Sequence, residues 1–390
     1  LSATLFRAHM IIRSFRALLV LVFVFASSAY AQSSMPAPAA PIIGAKSYLV
    51  MDATTGKELA SLDPDTPLAP ASLTKIMTTY VVFTALKQGQ ISLEDEVTIS
   101  EKAWRMPGSR MFVEVGNRVA IKDLLLGMIV QSGNDASVAL AEHIAGTEGV
   151  FAQMMNQYAQ QLGMLSSNFL NATGMPAEGH VTTARDLATL ARAVIAEFPE
   201  YYAWHADKEF TYNDIKQDNR NSLLWRDPSV DGLKTGHTED AGYCLVSSAL
   251  RDDMRVISVV MGTSSTKART EGSQALLNYA FRFFETRLLF KAGEEVATTR
   301  VWKSANETSR LGVLEDLYIT VRRGSYEQLE STLDVPAIVE APVAAGQPVA
   351  ELKITLGEDV VLSTPLRALD DNPEGSFWQR TKDSVSLWFE

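Results

Sequence analysis

Strand-forming runs stand at both ends of a long helical block, and this arrangement limits the folds open to the chain more than any other feature. Ser47-Tyr-Leu-Val-Met-Asp52 is a β-rich run, Thr54-Thr-Gly-Lys57 a turn and Glu58-Leu-Ala-Ser61 a return strand, so the folded part opens with a hairpin. Further strand candidates follow at 209–212, 241–249 and 254–261. Helical segments at 73–87, 121–129, 137–145, 150–162 and 183–196 lie between, and another at 270–284 comes after. Strands at both ends with helices between predict an α/β domain whose sheet unites the two ends, with an α-rich block inserted. The stretch 73–87 contains no Gly or Pro, which places Ser72 at or just inside a helix N-terminus.

From about residue 287 the pattern changes. Alternating or β-branched runs at 295–301, 317–322, 349–355 and 359–363, separated by Gly, Pro and Asn, have the spacing of a small all-β module. In the last segment, 376–390, Trp378, Thr381, Val385 and Trp388/Phe389 recur at helical spacing behind the breaker and cap Asn372-Pro-Glu-Gly-Ser376. Gln379, Arg380, Lys382 and Asp383 fall opposite the aromatic stripe. Such a helix suits a membrane interface, with packing back onto the β-rich module as the alternative.

The first 31 residues read as an export signal: Arg13 and Arg16 precede a ten-residue apolar run, and Ala29-Tyr30-Ala31 supplies a cleavage site. Met10 opens a conventional signal peptide, which makes residues 1–9 a start-site artefact on this reading. Residues 32–45 are a Pro/Ala/Ser-rich tether. Removing 1–31 takes away Arg7, Arg13 and Arg16 and no acid, so the net charge goes from −11 to −14. That balance excludes a general nucleic-acid binder but leaves room for a local cationic pocket. The single cysteine, Cys244, forms no internal disulfide and reads as a small buried hydrophobe in Gly242-Tyr-Cys-Leu-Val246. The five histidines show no metal-ligand spacing, and no phosphate loop or dinucleotide fingerprint is present, so neither metal nor organic cofactor is expected.

Three short motifs carry chemistry. In Ser72-Leu-Thr-Lys75, residues three apart share a helix face, so the amine reaches the hydroxyl as base to nucleophile. A second such spacing, Ser264-Ser-Thr-Lys267, reads as a strand-to-loop exit and is taken as the chance copy. Ser132-Gly-Asn134 is a turn between helices that points a hydroxyl and an amide into a cleft; Ser166-Ser-Asn168 repeats its spacing, and a structural turn is the alternative for either. Lys234-Thr235-Gly236, followed by His237, is the most specific of the three, and lies at a strand edge or turn. Its glycine admits a substrate backbone, and its lysine and threonine can hold an anion.

In that order, the three motifs resemble the signature of penicillin-recognising serine acyl-transferases. The longer blocks Pro70-Ala-Ser-Leu-Thr-Lys-Ile-Met77, Gln131-Ser-Gly-Asn-Asp135, Asp231-Gly-Leu-Lys-Thr-Gly-His-Thr238 and Phe281-Arg-Phe-Phe-Glu-Thr286 are similar to those of D-alanyl-D-alanine carboxypeptidases among the low-molecular-mass penicillin-binding proteins. The resemblance runs from about residue 45 to the C-terminus. It implies a β-lactamase/transpeptidase-like α/β catalytic domain over 46–287, with an antiparallel sheet flanked by helices. It also implies a β-rich domain over 288–370 and a membrane-anchoring amphipathic helix over 371–390, on the periplasmic face of the inner membrane.

The same resemblance implies a mechanism. Ser72 attacks the carbonyl between the terminal D-alanines of a peptidoglycan stem peptide, Lys75 is the general base, Ser132 relays a proton to the leaving amine, and Asn134 holds the substrate amide. Lys75 must then be neutral near neutral pH, which burial and the charge of Lys234 would favour. Backbone N–H groups of Ser72 and His237 would form the oxyanion hole, with the His237 side chain not the base. Lys234, Thr235 and Arg269 would hold the substrate carboxylate, a surface charge being the alternative for Arg269. β-Lactams would be covalent inhibitors. Two rivals remain: a β-lactamase, which would need no β-rich domain or anchor, and a non-hydrolytic sensor acylated by β-lactams. The segment from Ala103 to Phe112 is shorter than the corresponding loop of the best-known members, and the resemblance carries no role over to it.

Overall fold

A computed structural model describes residues 38–389. The export-signal reading of 1–31 and the first part of the tether lie outside the described residues. The hairpin and the later strands form one antiparallel sheet in the order Glu58–Leu62, Ser47–Asp52, Met254–Thr263, Gly242–Arg251, Val230–Thr238. The α/β expectation is therefore met, with Ser47–Asp52 pairing along Met254–Thr263 from Ser47 opposite Met261 to Asp52 opposite Val256.

The central strands are covered on both faces, which explains why they read as apolar runs rather than half-polar alternation. Successive side chains point to opposite faces. Tyr48 and Val50 pack with Leu276, Leu277 and Phe281 of the helix Thr266–Phe283, while Leu49 and Met51 pack with Ile76, Met77 and the α-rich block. Cys244 and Val246 face the α-rich block and Leu245 and Ala249 the long helix. Cys244 is fully buried.

The helix Thr74–Lys87 is buried on nearly every side because it runs through the middle of the α-rich block. Two of its threonines satisfy their hydroxyls within the helix, Thr79 Oγ1 donating to Lys75 O at 2.6 Å and Thr84 Oγ1 to Tyr80 O at 2.8 Å, while Thr78 Oγ1 donates across to Ala172 O at 2.7 Å. Around it stand the helices Ile121–Val130, Asn134–Ala145, Glu148–Gln161 and Ala184–Glu197.

Two element readings are corrected. Lys234-Thr235-Gly236 lies inside the nine-residue edge strand Val230–Thr238, where Gly232, Gly236 and the polar residues hide the alternation. The helix after the sheet starts at Thr266, capped by Ser265, whose Oγ accepts from Ala268 N at 3.1 Å. Ser264 therefore sits just before a helix and not in a plain loop.

The strand Phe284–Phe290 leads out of that helix and pairs with Leu317–Arg322. It fastens the β-rich part to the first hairpin: Thr286 Oγ1 donates to Asp52 Oδ2 at 2.7 Å, and Lys57 Nζ to Thr320 O at 2.9 Å. A second antiparallel sheet follows in the order Glu295–Arg300, Thr308–Gly312, Asp359–Ala368, Pro348–Leu356, Leu329–Asp334. Leu311, Ile319, Val321, Leu352, Ile354 and Leu366 fill its core. The strands at 308–312 and 329–334 were not legible as runs, since Gly, Ser and charged residues dilute them.

The terminal helix Phe377–Ser386 begins with a capping box between Ser376 and Gln379. It contacts the β-rich part through polar groups: Asp383 Oδ2 accepts from Lys303 N at 2.6 Å. Its aromatic residues do not fold back: Trp378 is 79% exposed, and beyond the helix Trp388 is 90% and Phe389 85% exposed. Among the described residues, no helix is long and apolar enough to cross a membrane.

Candidate active site

Pro70 opens a one-turn 3-10 helix, Ala71–Leu73, that runs straight into Thr74–Lys87. Ala71 sits in the left-handed region with φ +48°, so the turn is tight and holds Ser72 at its crest. Two segments close on this turn, and each needs glycine to do so. A Cβ on Gly174, φ +82°, would lie 1.8 Å from Ala71 O. One on Gly236 would lie 3.1 Å from Pro70 O and 3.2 Å from Leu73 Cγ. The close neighbour of Gly236 is thus the turn that carries Ser72.

One helical turn later, Lys75 is buried with 1% exposure. Its Nζ lies 3.0 Å from Ser72 Oγ, 2.7 Å from Asn134 Oδ1 and 2.6 Å from Thr173 O. The last two are carbonyl oxygens and can only accept. A neutral amine has two N–H donors and one lone pair, so donating to both carbonyls leaves the lone pair for the Ser72 hydroxyl proton. Burial, then the charge of Arg220, lowers the Lys75 pKa to about 7, while Asp135 pulls the other way. Lys234 is also buried and is held well below the usual lysine range by burial first, then by the charges of Lys75, Arg220 and Arg269. The two lysines repel each other, so charging one disfavours charging the other. Arg220 is thus a further cation acting on Lys75, beside the charge of Lys234 that the sequence reading invokes.

Ser132 has a left-handed backbone, φ +68°, which is strained for a residue with a Cβ. Among the described residues its buried Oγ has no hydrogen-bond partner. Ser132 also lines the cleft, so a group that enters can meet this hydroxyl. Asn134 spans the space between two elements: Oδ1 accepts from Lys75, and Nδ2 donates to Pro107 O at 2.7 Å. The next residue, Asp135, accepts from the backbone N–H of Met111 at 3.0 Å and of Phe112 at 2.9 Å. These bonds lay the short 103–112 segment over the Ser132-Gly-Asn134 turn, and its Gly108 and Ser109 form one wall of the cleft.

The resulting cleft has a volume of about 450 Å³. Ser72, Ser132, Asn134, Thr235, Gly236, His237 and Arg269 all line it, and Lys75 and Lys234 stand buried behind its floor. Arg269 reaches in from the long helix, its Nη1 donating to Gly236 O at 3.1 Å with its guanidinium 5.8 Å from the Tyr243 ring. The exposed His237 ring packs on Tyr243 at 4.0 Å between centroids. The repeated motifs lie elsewhere. Asn168 Nδ2 donates to Gly179 O at 2.8 Å in a structural turn, Ser264 is exposed, and Lys267 pairs with Glu271 at 3.7 Å.

Comparison with known proteins agrees with this geometry. Residues 34–265 match the family model described as D-alanyl-D-alanine carboxypeptidase, and residues 284–374 match penicillin-binding protein 5, C-terminal domain. The chain belongs to the D-alanyl-D-alanine carboxypeptidase family. The Escherichia coli (strain K12) D-alanyl-D-alanine carboxypeptidase DacC is 42% identical over 377 residues, 94% of each protein. DacA of the same organism is 40% identical over 360 residues, 90% of this chain and 89% of the relative. Among solved structures, penicillin binding protein 5 from Haemophilus influenzae superposes with a TM-score of 0.83 at 41% identity, over 86% of this chain and 99% of that one.

This carboxypeptidase-family cleft also contains residues that sequence motifs did not reveal. Arg220 lines it from Asp218-Asn219-Arg220-Asn221, a stretch with no motif of its own. The flanking amides set its backbone: Asn219 Nδ2 donates to Asp207 O and Asn221 Nδ2 to Gly232 O, both at 2.9 Å. Thr173, Tyr243 and the 108–109 wall were likewise silent. A buried Asn-x-Asn frame around one arginine is the only sequence trace of Arg220, and it gains meaning only once the K-T-G strand is placed beside it.

Proposed function

We propose that the protein is a serine-type D-Ala-D-Ala carboxypeptidase that trims the terminal D-alanine from peptidoglycan stem pentapeptides through an acyl-enzyme on Ser72 and is acylated there by β-lactams. The observation that carries this reading is the Lys75 amine, 3.0 Å from Ser72 Oγ and committed on its other sides to two carbonyl acceptors. Lys75 takes the Ser72 proton as the hydroxyl attacks the scissile carbonyl. The oxyanion would be met by the backbone N–H groups of Ser72, at a helix start, and of His237. Ser132 passes a proton to the departing D-alanine amine, which explains an unpartnered hydroxyl facing the cleft. Asn134 fixes Lys75 and offers the substrate amide its second Oδ1 lone pair and the N–H that otherwise meets only the weak acceptor Met175 Sδ at 3.7 Å.

The terminal carboxylate is recognised by Lys234, Thr235 and Arg269, with Arg220 as a further cation. A bound carboxylate also returns the Lys234 pKa upward, because it favours the charged form. Residues 46–287 supply this chemistry, 288–370 hold the site away from the anchor, and 1–31 direct export and are removed.

The test is incubation of the purified protein with a D-Ala-D-Ala-terminated pentapeptide and, separately, with penicillin. Release of D-alanine together with slow penicillin turnover is expected. Fast penicillin turnover would make it a β-lactamase, and acylation without peptide hydrolysis a sensor.

The terminal helix, with its aromatic residues exposed, is proposed to lie in the interface of the inner membrane on its periplasmic face. Removing residues 376–390 is expected to shift the protein from the membrane fraction to the supernatant while leaving D-alanine release from the soluble pentapeptide intact. Unchanged partitioning in that fractionation would sink the anchor.

A further inference from the structure

The Lys75 amine is only as well aimed as the carbonyls that receive its N–H groups, and one of them belongs to a segment without regular structure. Residues 171–175 lie in neither helix nor strand, so no ladder of hydrogen bonds sets the direction of Thr173 O. The Asn171 side chain does so instead. Its Oδ1 accepts from Gly174 N at 2.7 Å, Thr173 Oγ1 at 3.0 Å and Thr173 N at 3.1 Å, and its Nδ2 donates to Met175 O at 2.9 Å. Thr173 C=O and Gly174 N–H are the two ends of one planar peptide and point in opposite directions. Asn171 thus grips one end of that plane while Lys75 Nζ, 2.6 Å from Thr173 O, meets the other. A hydrogen bond on the N–H also polarises the carbonyl and makes it a better acceptor.

A buried imidazole fastens this amide to the helix that carries Lys75. His180 Nδ1 lies 3.3 Å from both Leu170 N and Asn171 Nδ2. Both of those groups only donate, so Nδ1 accepts and Nε2 carries the ring proton, which it gives to Thr74 Oγ1 at 2.9 Å. Burial lowers the His180 pKa to about 4, which keeps the ring in this neutral form near pH 7. Of the described residues, Thr173 and Gly174 line the cleft and Asn171 does not. We propose that Asn171 is a positioning residue: it holds the 173–174 peptide so that Thr173 O takes a Lys75 N–H and the amine's lone pair is left for Ser72. The inference rests on Lys75 as the base of the proposed acyl-enzyme reaction.

The test uses the full chain and the variants Asn171→Ala and Asn171→Asp. It follows penicillin acylation at a pH where Lys75 is neutral, together with the fraction of protein labelled at completion. Asn171→Ala is expected to fold, because Glu148 Oε1 still accepts from Ala172 N at 3.0 Å and Ala172 O from Thr78 Oγ1 at 2.7 Å. Its labelled fraction and half-saturating penicillin concentration should stay within about twofold of wild type while the saturating acylation rate falls about tenfold, the effect of one misplaced buried hydrogen bond. Asn171→Asp keeps the acceptor for Gly174 and Thr173 and should return that rate to within about threefold of wild type. A wild-type rate in Asn171→Ala, equal losses in the two variants, or a loss confined to the labelled fraction overturns the assignment. Because the readout is acylation, that failure is separate from failure of the carboxypeptidase reading, which falls if wild type releases no D-alanine from the pentapeptide.

Discussion

Ser72→Ala abolishes covalent labelling by penicillin and lowers D-alanine release by at least about a thousandfold, because Ser72 is the cleft hydroxyl that the Lys75 amine meets and activates. Ser264→Ala, the matched control, labels and turns over as wild type does, since Ser264 is exposed ahead of a helix and its spaced partner Lys267 pairs with Glu271. Ser72→Ala removes one oxygen at the crest of a turn and leaves Ala71 and Gly174 in place, so the variant folds and its loss is chemical. Labelled Ser72→Ala protein, read by mass spectrometry of the intact chain, would overturn the choice of nucleophile.

Lys75→Met is expected to slow acylation about 10²- to 10⁴-fold, the usual contribution of a positioned base. The pH profile separates a base from a packing residue. Lys75 serves only when neutral, and its pKa is about 7. The wild-type acylation rate should therefore rise through a limb centred near pH 7 and level off above it. Below that limb the amine is protonated, its lone pair is gone, and the rate falls about tenfold for each pH unit. In Lys75→Met the residual rate should lose this limb. A variant that keeps the wild-type limb would place the base elsewhere. Arg220→Ala is the companion measurement: removing the charge that depresses Lys75 should move the limb to higher pH.

Much of the site was legible because its chemistry is local. Ser72 and Lys75 are one helical turn apart, so a Gly-free and Pro-free run after Ser72 is enough to aim them at each other. Lys234, Thr235 and Gly236 are likewise neighbours on one strand. The strand itself was hard to read, because Gly232 and Gly236 interrupt the apolar pattern. Short spacings also recur by chance, and position in the fold separates them: Ser132 faces a cleft with its hydroxyl unpaired, whereas Asn168 closes a turn. The β-rich part was legible in outline only, since its sheet mixes apolar and charged residues on half-exposed strands.

The sequence by itself determined the architecture and the reactive pair: apolar runs at both ends demanded a common sheet, and a serine and lysine one turn apart need only a helix to meet. Only the tertiary structure decided what those groups are like as reagents. The Lys75 pKa depends on burial and on Arg220, which is distant along the chain and carries no motif. The Lys75 lone pair is aimed by carbonyl oxygens of Asn134 and Thr173 from two other segments. Electrostatic and desolvation energies depend on distance through space, and separation along the chain does not measure that distance.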